Sequence, residues 1–206
     1  MKAAIFFMSF VAAIHGGVSE ASQPPRPTVA VRTYNYAAVP SEQLAAARLE
    51  AGHIFARAGI SLEWIACRVR GEVDGAPCTE PLSPGRDLML RLVDRIPVQG
   101  ERIVALGESM LDREQRGGVL MTVDVFPVRA VAGRTSTSTS TLLGRAVAHE
   151  IGHLLLGSAQ HPGLGLMRAL WSHDELRGLK PAHWGFSARE AAQMRQTVRG
   201  KSRTAD

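Results

Sequence analysis

Hydrophobic and polar positions change period several times along this chain, and each change marks an element. From Thr28 to Tyr36 the residues alternate and are rich in Val, Thr and Tyr, which predicts a strand. Ser41 offers an N-cap for a helix running to about Ala58, with Gly59 as its stop. Leu44, Ala47, Ala51, Ile54, Phe55 and Ala58 fall on one face of that helix at helical spacing. Ile60, Leu62 and Trp64 alternate with polar residues and give a second strand; Leu88, Leu90 and Leu92 give a third. Arg102 to Leu106 is a shorter, weaker strand. Val119, Met121, Val123 and Val125 form a fifth, stopped by Pro127. The unbroken Ser/Thr run from Thr135 to Thr141 then predicts a mobile loop. Its last hydroxyls can cap a helix over Thr141 to Leu156, buried through Leu143, Val147, Ile151, Leu154 and Leu155. A final helix is predicted over Ser187 to Val198.

The first residues follow a different logic. Lys2 precedes an apolar run from Ala3 to Ile14, then small and polar residues, and Ser19-Glu20-Ala21 fits a small-x-small cleavage site. Residues 1–21 therefore read as a secretory signal peptide, and residues 22–206 as a single domain. The run is short for a membrane span, which needs roughly 20 residues. The expected location is secreted, periplasmic or otherwise extracytoplasmic, with no stable membrane insertion after cleavage. Cys67 and Cys78, flanking a polar stretch, agree with export and are expected to form one disulfide.

Composition adds two exclusions. With 45% hydrophobic and 21% charged residues, the 206-residue chain is neither fibrous nor wholly disordered. The net charge of +5 comes almost entirely from scattered arginines, because lysine occurs only at positions 2, 180 and 201. Nucleic-acid binding needs a basic stripe or patch, so no nucleic-acid partner is expected.

The chemistry concentrates at His149-Glu150-Ile151-Gly152-His153. Four-residue spacing on a helix puts both imidazoles on one face, about 5.4 Å apart along the axis. Two neutral ring nitrogens so placed can grip one zinc ion, while Glu150 points elsewhere and can reach a water on the metal. A hydrolytic zinc keeps three protein ligands and an open position. Gly157 can end the helix in a left-handed turn, and His161 lies four residues beyond it, which makes His161 the first choice for the third ligand. Glu175, on a later helix as in thermolysin-like sites, is the alternative, followed by His173 and Asp174. His53 and His183 read as surface or structural residues, and Trp171 and Trp184 as packing residues or the border of a cleft.

His149-Glu150-x-x-His153-x-x-x-Gly157-x-x-x-His161 resembles the zinc motif of the metzincin metalloproteases, particularly the matrixin-like group. Gly163-Leu164-Gly165-Leu166-Met167 resembles that family's methionine turn, with Met167 beneath the metal. Two departures stand out: one extra residue precedes Gly157 and one more precedes His161. No tyrosine follows Met167, and no acidic loop resembles a structural calcium site. The resemblance implies an α+β, zincin-like fold: a mixed twisted sheet in strand–helix–strands order, an active-site helix, a methionine turn and a C-terminal helix. It implies one catalytic Zn2+ held by His149, His153 and His161, with Glu150 as general base and a protein or peptide as substrate. Substrate would lie extended against a sheet edge near residues 102–107. Rival functions are a cell-wall peptide hydrolase, a non-catalytic secreted zincin-like binding protein, and a closed structural zinc site.

Overall fold

The computed structural model describes residues 25–69, 75–95, 105–112, 117–177 and 184–202. The signal peptide expected at 1–21 and His183 lie outside these residues, as does the side chain of His173.

Alternation and β-branching produce the first strand, β1 (Thr28–Asn35), where expected. The amphipathic run that follows is α1 (Ser41–Arg57), which buries Ala47, Ala51, Ile54 and Phe55 and leaves His53 exposed. Its start differs from the sequence reading. Pro40 is the N-cap, and Ser41 is already helical and makes no capping bond. Gly59 turns the chain with φ +75° into β2 (Ser61–Cys67). β3 (Asp87–Val93) buries Leu88, Leu90 and Leu92. Residues 102–104, three of the five in the weak strand expected at Arg102–Leu106, lie outside the described residues, and Ala105 and Leu106 are not strand. The strand in this region is β4 (Gly107–Asp112), one step further on. Its exposure alternates strictly while its composition does not, so hydrophobic patterning misplaces it.

β5 (Gly117–Asp124) ends before Val125, which instead opens α2 (Val125–Thr135). Pro127 does not stop a strand there. It sits in the first turn of a helix, where its missing N–H costs nothing. The Ser/Thr run is not a mobile loop. Thr135 is buried, and its hydroxyl donates to the Val131 carbonyl at 2.9 Å. Thr137 donates to the Leu176 carbonyl at 2.7 Å, and α3 (Thr139–Leu156) starts two residues early. Ser136 makes the break between the helices in a left-handed conformation. Hydroxyls that bond back to nearby carbonyls order such a run. A short α4 (His173–Arg177) and α5 (Ala188–Ser202) complete the chain. Ser187 and Glu190 cap α5 reciprocally, each accepting from the other's backbone N–H.

The five strands form one mixed sheet in the order β2-β1-β3-β5-β4. The first four run parallel, and β4 lies antiparallel to β5 at one edge. Register sets Val31 beside Leu88, Leu90 beside Met121 and Leu92 beside Val123, all in one core with the buried faces of α1 and α3. Cys67 and Cys78 form the expected disulfide, pinning the end of β2 to the segment before β3. Behind that segment, buried Arg32 donates to the carbonyls of Glu80 and Pro81 and pairs with Asp87 at 3.4 Å. α3 therefore runs through the protein interior, with every residue from Leu142 to Leu155 buried, and passes directly behind edge strand β4.

Candidate active site

α3 carries His149 and His153 one turn apart, and both are buried. The helix ends at Gly157 (φ 62°, ψ 34°), whose N–H bonds the His153 carbonyl. That reversal returns an exposed loop across the helix end and brings His161 to the pair. The Nε2 atoms of His149 and His153 are 2.9 Å apart; His161 Nε2 lies 3.1 Å from His153 and 3.3 Å from His149. The two extra residues relative to the metzincin spacing are absorbed by the longer helix and the loop behind Gly157.

The protons on two of these rings are fixed by their surroundings. His149 Nδ1 lies 2.9 Å from the Leu166 carbonyl, and His153 Nδ1 lies 2.7 Å from the Ser158 carbonyl. A carbonyl only accepts, so each Nδ1 carries the hydrogen and each Nε2 presents a lone pair. Burial pushes His149 down to about 4 and also lowers His153, which keeps both rings neutral near pH 7. Lone pairs facing one another at 2.9 Å repel unless a cation sits between them. Zinc held by three nitrogens at 2.0–2.1 Å would space them at roughly 3.3 Å, so the donor set fits that ion closely. The carbonyls behind the rings supply the outer-shell hydrogen bonds that orient ligating histidines.

Met167 is fully buried and packs against Gly152, the residue before His153. A Cβ on Gly152 would lie 2.5 Å from the Met167 sulfur and 2.9 Å from Phe186, so the glycine permits the close approach. The Leu166 N–H bonds the Gly185 carbonyl at 3.0 Å, tying this turn to the chain before α5. Trp171 packs edge-on against His149 at 5.7 Å and against Trp184 at 5.1 Å, and it also lines the cleft. Glu175 does not join the cluster; its carboxylate pairs with Arg168 and accepts from the Ser172 amide and hydroxyl. Asp174 is exposed.

Glu150, about 100° around α3 from His149, meets edge strand β4. Its Oε2 accepts a 2.6 Å hydrogen bond from Ser109 Oγ, which also lies 2.9 Å from the Glu150 carbonyl. Burial pushes the carboxyl up to about 7, and the Ser109 hydroxyl pulls it part of the way back. A cavity of about 420 Å3 opens beside Glu150 and the three histidines, walled by Leu106, Val131, Ala146, Leu170, Trp171 and Leu176. Ser109 and Gly107, which faces Glu150 from the same strand, have no sequence signal. Only the pairing of β4 with β5 brings them to a helix some forty residues away.

No protein-family model matches this sequence, and no curated protein matches it. Solved structures do share its fold. A zinc-dependent peptidase from Methanocorpusculum labreanum superposes with a TM-score of 0.53 at 12% identity, over 80% of this chain and 99% of its own. Archaemetzincin from Methanopyrus kandleri gives 0.52 at 13% identity, over 85% and 98%. Metalloproteinase-II from Bacteroides fragilis gives 0.52 at 14% identity, over 85% of this chain and 55% of its own. The backbone that carries the three histidines is thus one that these three proteins share.

Proposed function

We propose that this chain is an exported zinc-dependent peptidase that cleaves protein or peptide substrates by direct attack of water. The observation that carries the reading is the convergence of three Nε2 atoms beside a buried carboxyl group that opens onto an apolar cleft. Likeness of fold to zinc-dependent peptidases supports it, and so does a disulfide, which persists in oxidising compartments. His149, His153 and His161 would hold the ion. Zinc supplies Lewis acidity, acidifying a water and polarising the substrate carbonyl. Glu150 takes the proton of the attacking water and passes it to the departing amine. The apolar walls of the cleft exclude bulk water from that transfer. β4, as the antiparallel edge, offers its free side to an extended peptide through main-chain hydrogen bonds.

Replacing the base tests this reading. Glu150→Gln keeps size and packing but cannot accept the proton. Turnover of a general protein substrate is expected to fall by about 10²–10⁴-fold. Zinc content, measured by atomic absorption, is expected to stay at the wild-type level. Undiminished turnover in the variant would overturn the assignment.

A further inference from the structure

We infer that Ser109 is a positioning residue for the general base, so that the sheet edge and the base act as one unit. The inference rests on the reading of Glu150 given above. Ser109 and Gly107 stand two apart on β4 and so face α3 together, where Glu150 lies between them. Ser109 holds Oε2 at 2.6 Å. Gly107 leaves the room for the rest of the side chain, since a Cβ there would lie 2.8 Å from both Glu150 Cγ and Oε1. One oxygen is thereby tethered, and the carboxyl plane is set by the strand rather than by the helix that bears it.

The hydroxyl has one hydrogen and two acceptors within reach, Oε2 and the Glu150 carbonyl at 2.9 Å. While the carboxylate is ionised, Ser109 donates to Oε2. Once the carboxyl carries the proton taken from water on its free Oε1, Oε2 is the carbonyl oxygen of the acid and still accepts from Ser109, so the proton on Oε1 stays available for the departing amine. No atom is gained or lost by Ser109, and the base keeps a partner on both sides of the transfer. A side chain that only filled space would need neither acceptor.

Three measurements on Ser109→Ala, Ser109→Thr and Glu150→Gln decide it. A hydrogen bond to a charged group supports a loss of about tenfold to a hundredfold. Ser109→Ala is expected to lose that much in kcat, with KM and zinc content within twofold of wild type. Ser109→Thr, which restores the hydroxyl on a residue suited to strands, is expected to recover most of the loss. In zinc-free protein, the carboxylate stretch assigned to Glu150 by difference against Glu150→Gln is expected to shift in Ser109→Ala and to return in Ser109→Thr. The inference is overturned by an unchanged kcat, by loss of zinc, by a rise in KM matching the fall in kcat, by Ser109→Thr doing no better than Ser109→Ala, or by an unmoved band. Should Glu150→Gln turn over normally, the general-base reading itself fails. A silent Ser109→Ala beside an inactive Glu150→Gln removes Ser109 alone.

Discussion

His161 differs from its two partners in where it stands: His149 and His153 are buried in α3, while His161 is exposed on the loop beyond Gly157. Its removal should therefore test the ligand set with little damage to the core. His161→Ala is expected to weaken zinc binding by roughly a hundredfold or more, beyond the 10–100-fold that outer-shell changes produce. Glu175→Ala is expected to bind zinc as the wild type does, because that carboxylate is committed to Arg168 and Ser172. Zinc titrations of both variants at one pH check this, since ligand protonation makes affinity depend on pH. A Glu175 variant that loses zinc beside a His161 variant that keeps it would point to a thermolysin-like ligand set. Residues of this kind are legible in a sequence when their relation is local. The four-residue helical step of His149 and His153 is local, and so is the Gly157 turn. Ser109 is not, because its contact with Glu150 spans two elements and depends on strand register.

Helix α3 owes its position to close contact with α1, and the glycines of the two helices report on it with opposite signs. A Cβ on Gly144 would lie 2.5 Å from the Ala47 carbonyl oxygen and 2.7 Å from Glu50 Cβ, so the α1 backbone itself is in the way. Gly144→Ala is expected to destabilise the protein by about 1–3 kcal/mol, the usual cost of overpacking. Gly52 on α1 has nothing within 4 Å of the same added atom. Gly52→Ala is expected to stabilise by about 0.5–1 kcal/mol through helix propensity alone. Urea unfolding of both variants measures the contrast, and a destabilised Gly52→Ala would contradict the packing described. Beside Gly144, Arg145 pairs with Glu50 at 3.1 Å and lies 3.9 Å from the Trp184 ring, which fixes the rotation of α3 against its neighbours. Elements with a clear period, such as β1, α1, β3 and α3, are readable from sequence to within a few residues. α2 is hidden because Pro127 resembles a strand breaker, and β4 because its inward residues include Gly107 and Ser109, which carry no hydrophobic signal.

For the whole molecule, alternation tells which residues form strands but not which strands are neighbours. The placement of β3 between β1 and β5, and of β4 at the edge, follows from crossovers that leave no local mark. The pairing of Cys67 with Cys78 is the long-range link the sequence does expose, since two cysteines permit only one bridge. Thiol titration of unfolded, unreduced protein is expected to find no free cysteine among the two. Reduction is expected to cost about 3 kcal/mol, from chain entropy for a loop of this size. Two reactive thiols, or an unchanged unfolding midpoint on reduction, would contradict this. The division of the histidine cluster between core and periphery has a thermodynamic consequence. Two nitrogens are held in place by the same packing that holds the fold, so aligning them takes no entropy beyond that of folding. The third rides on a short exposed span between Gly157 and Pro162, and its freedom is lost only when it closes on the other two. The strength of the complete grip is thus tuned by the stiffness of that span as much as by the basicity of its imidazole. Sequence change there can grade affinity over a wide range while the buried pair, and the fold, stay as they are.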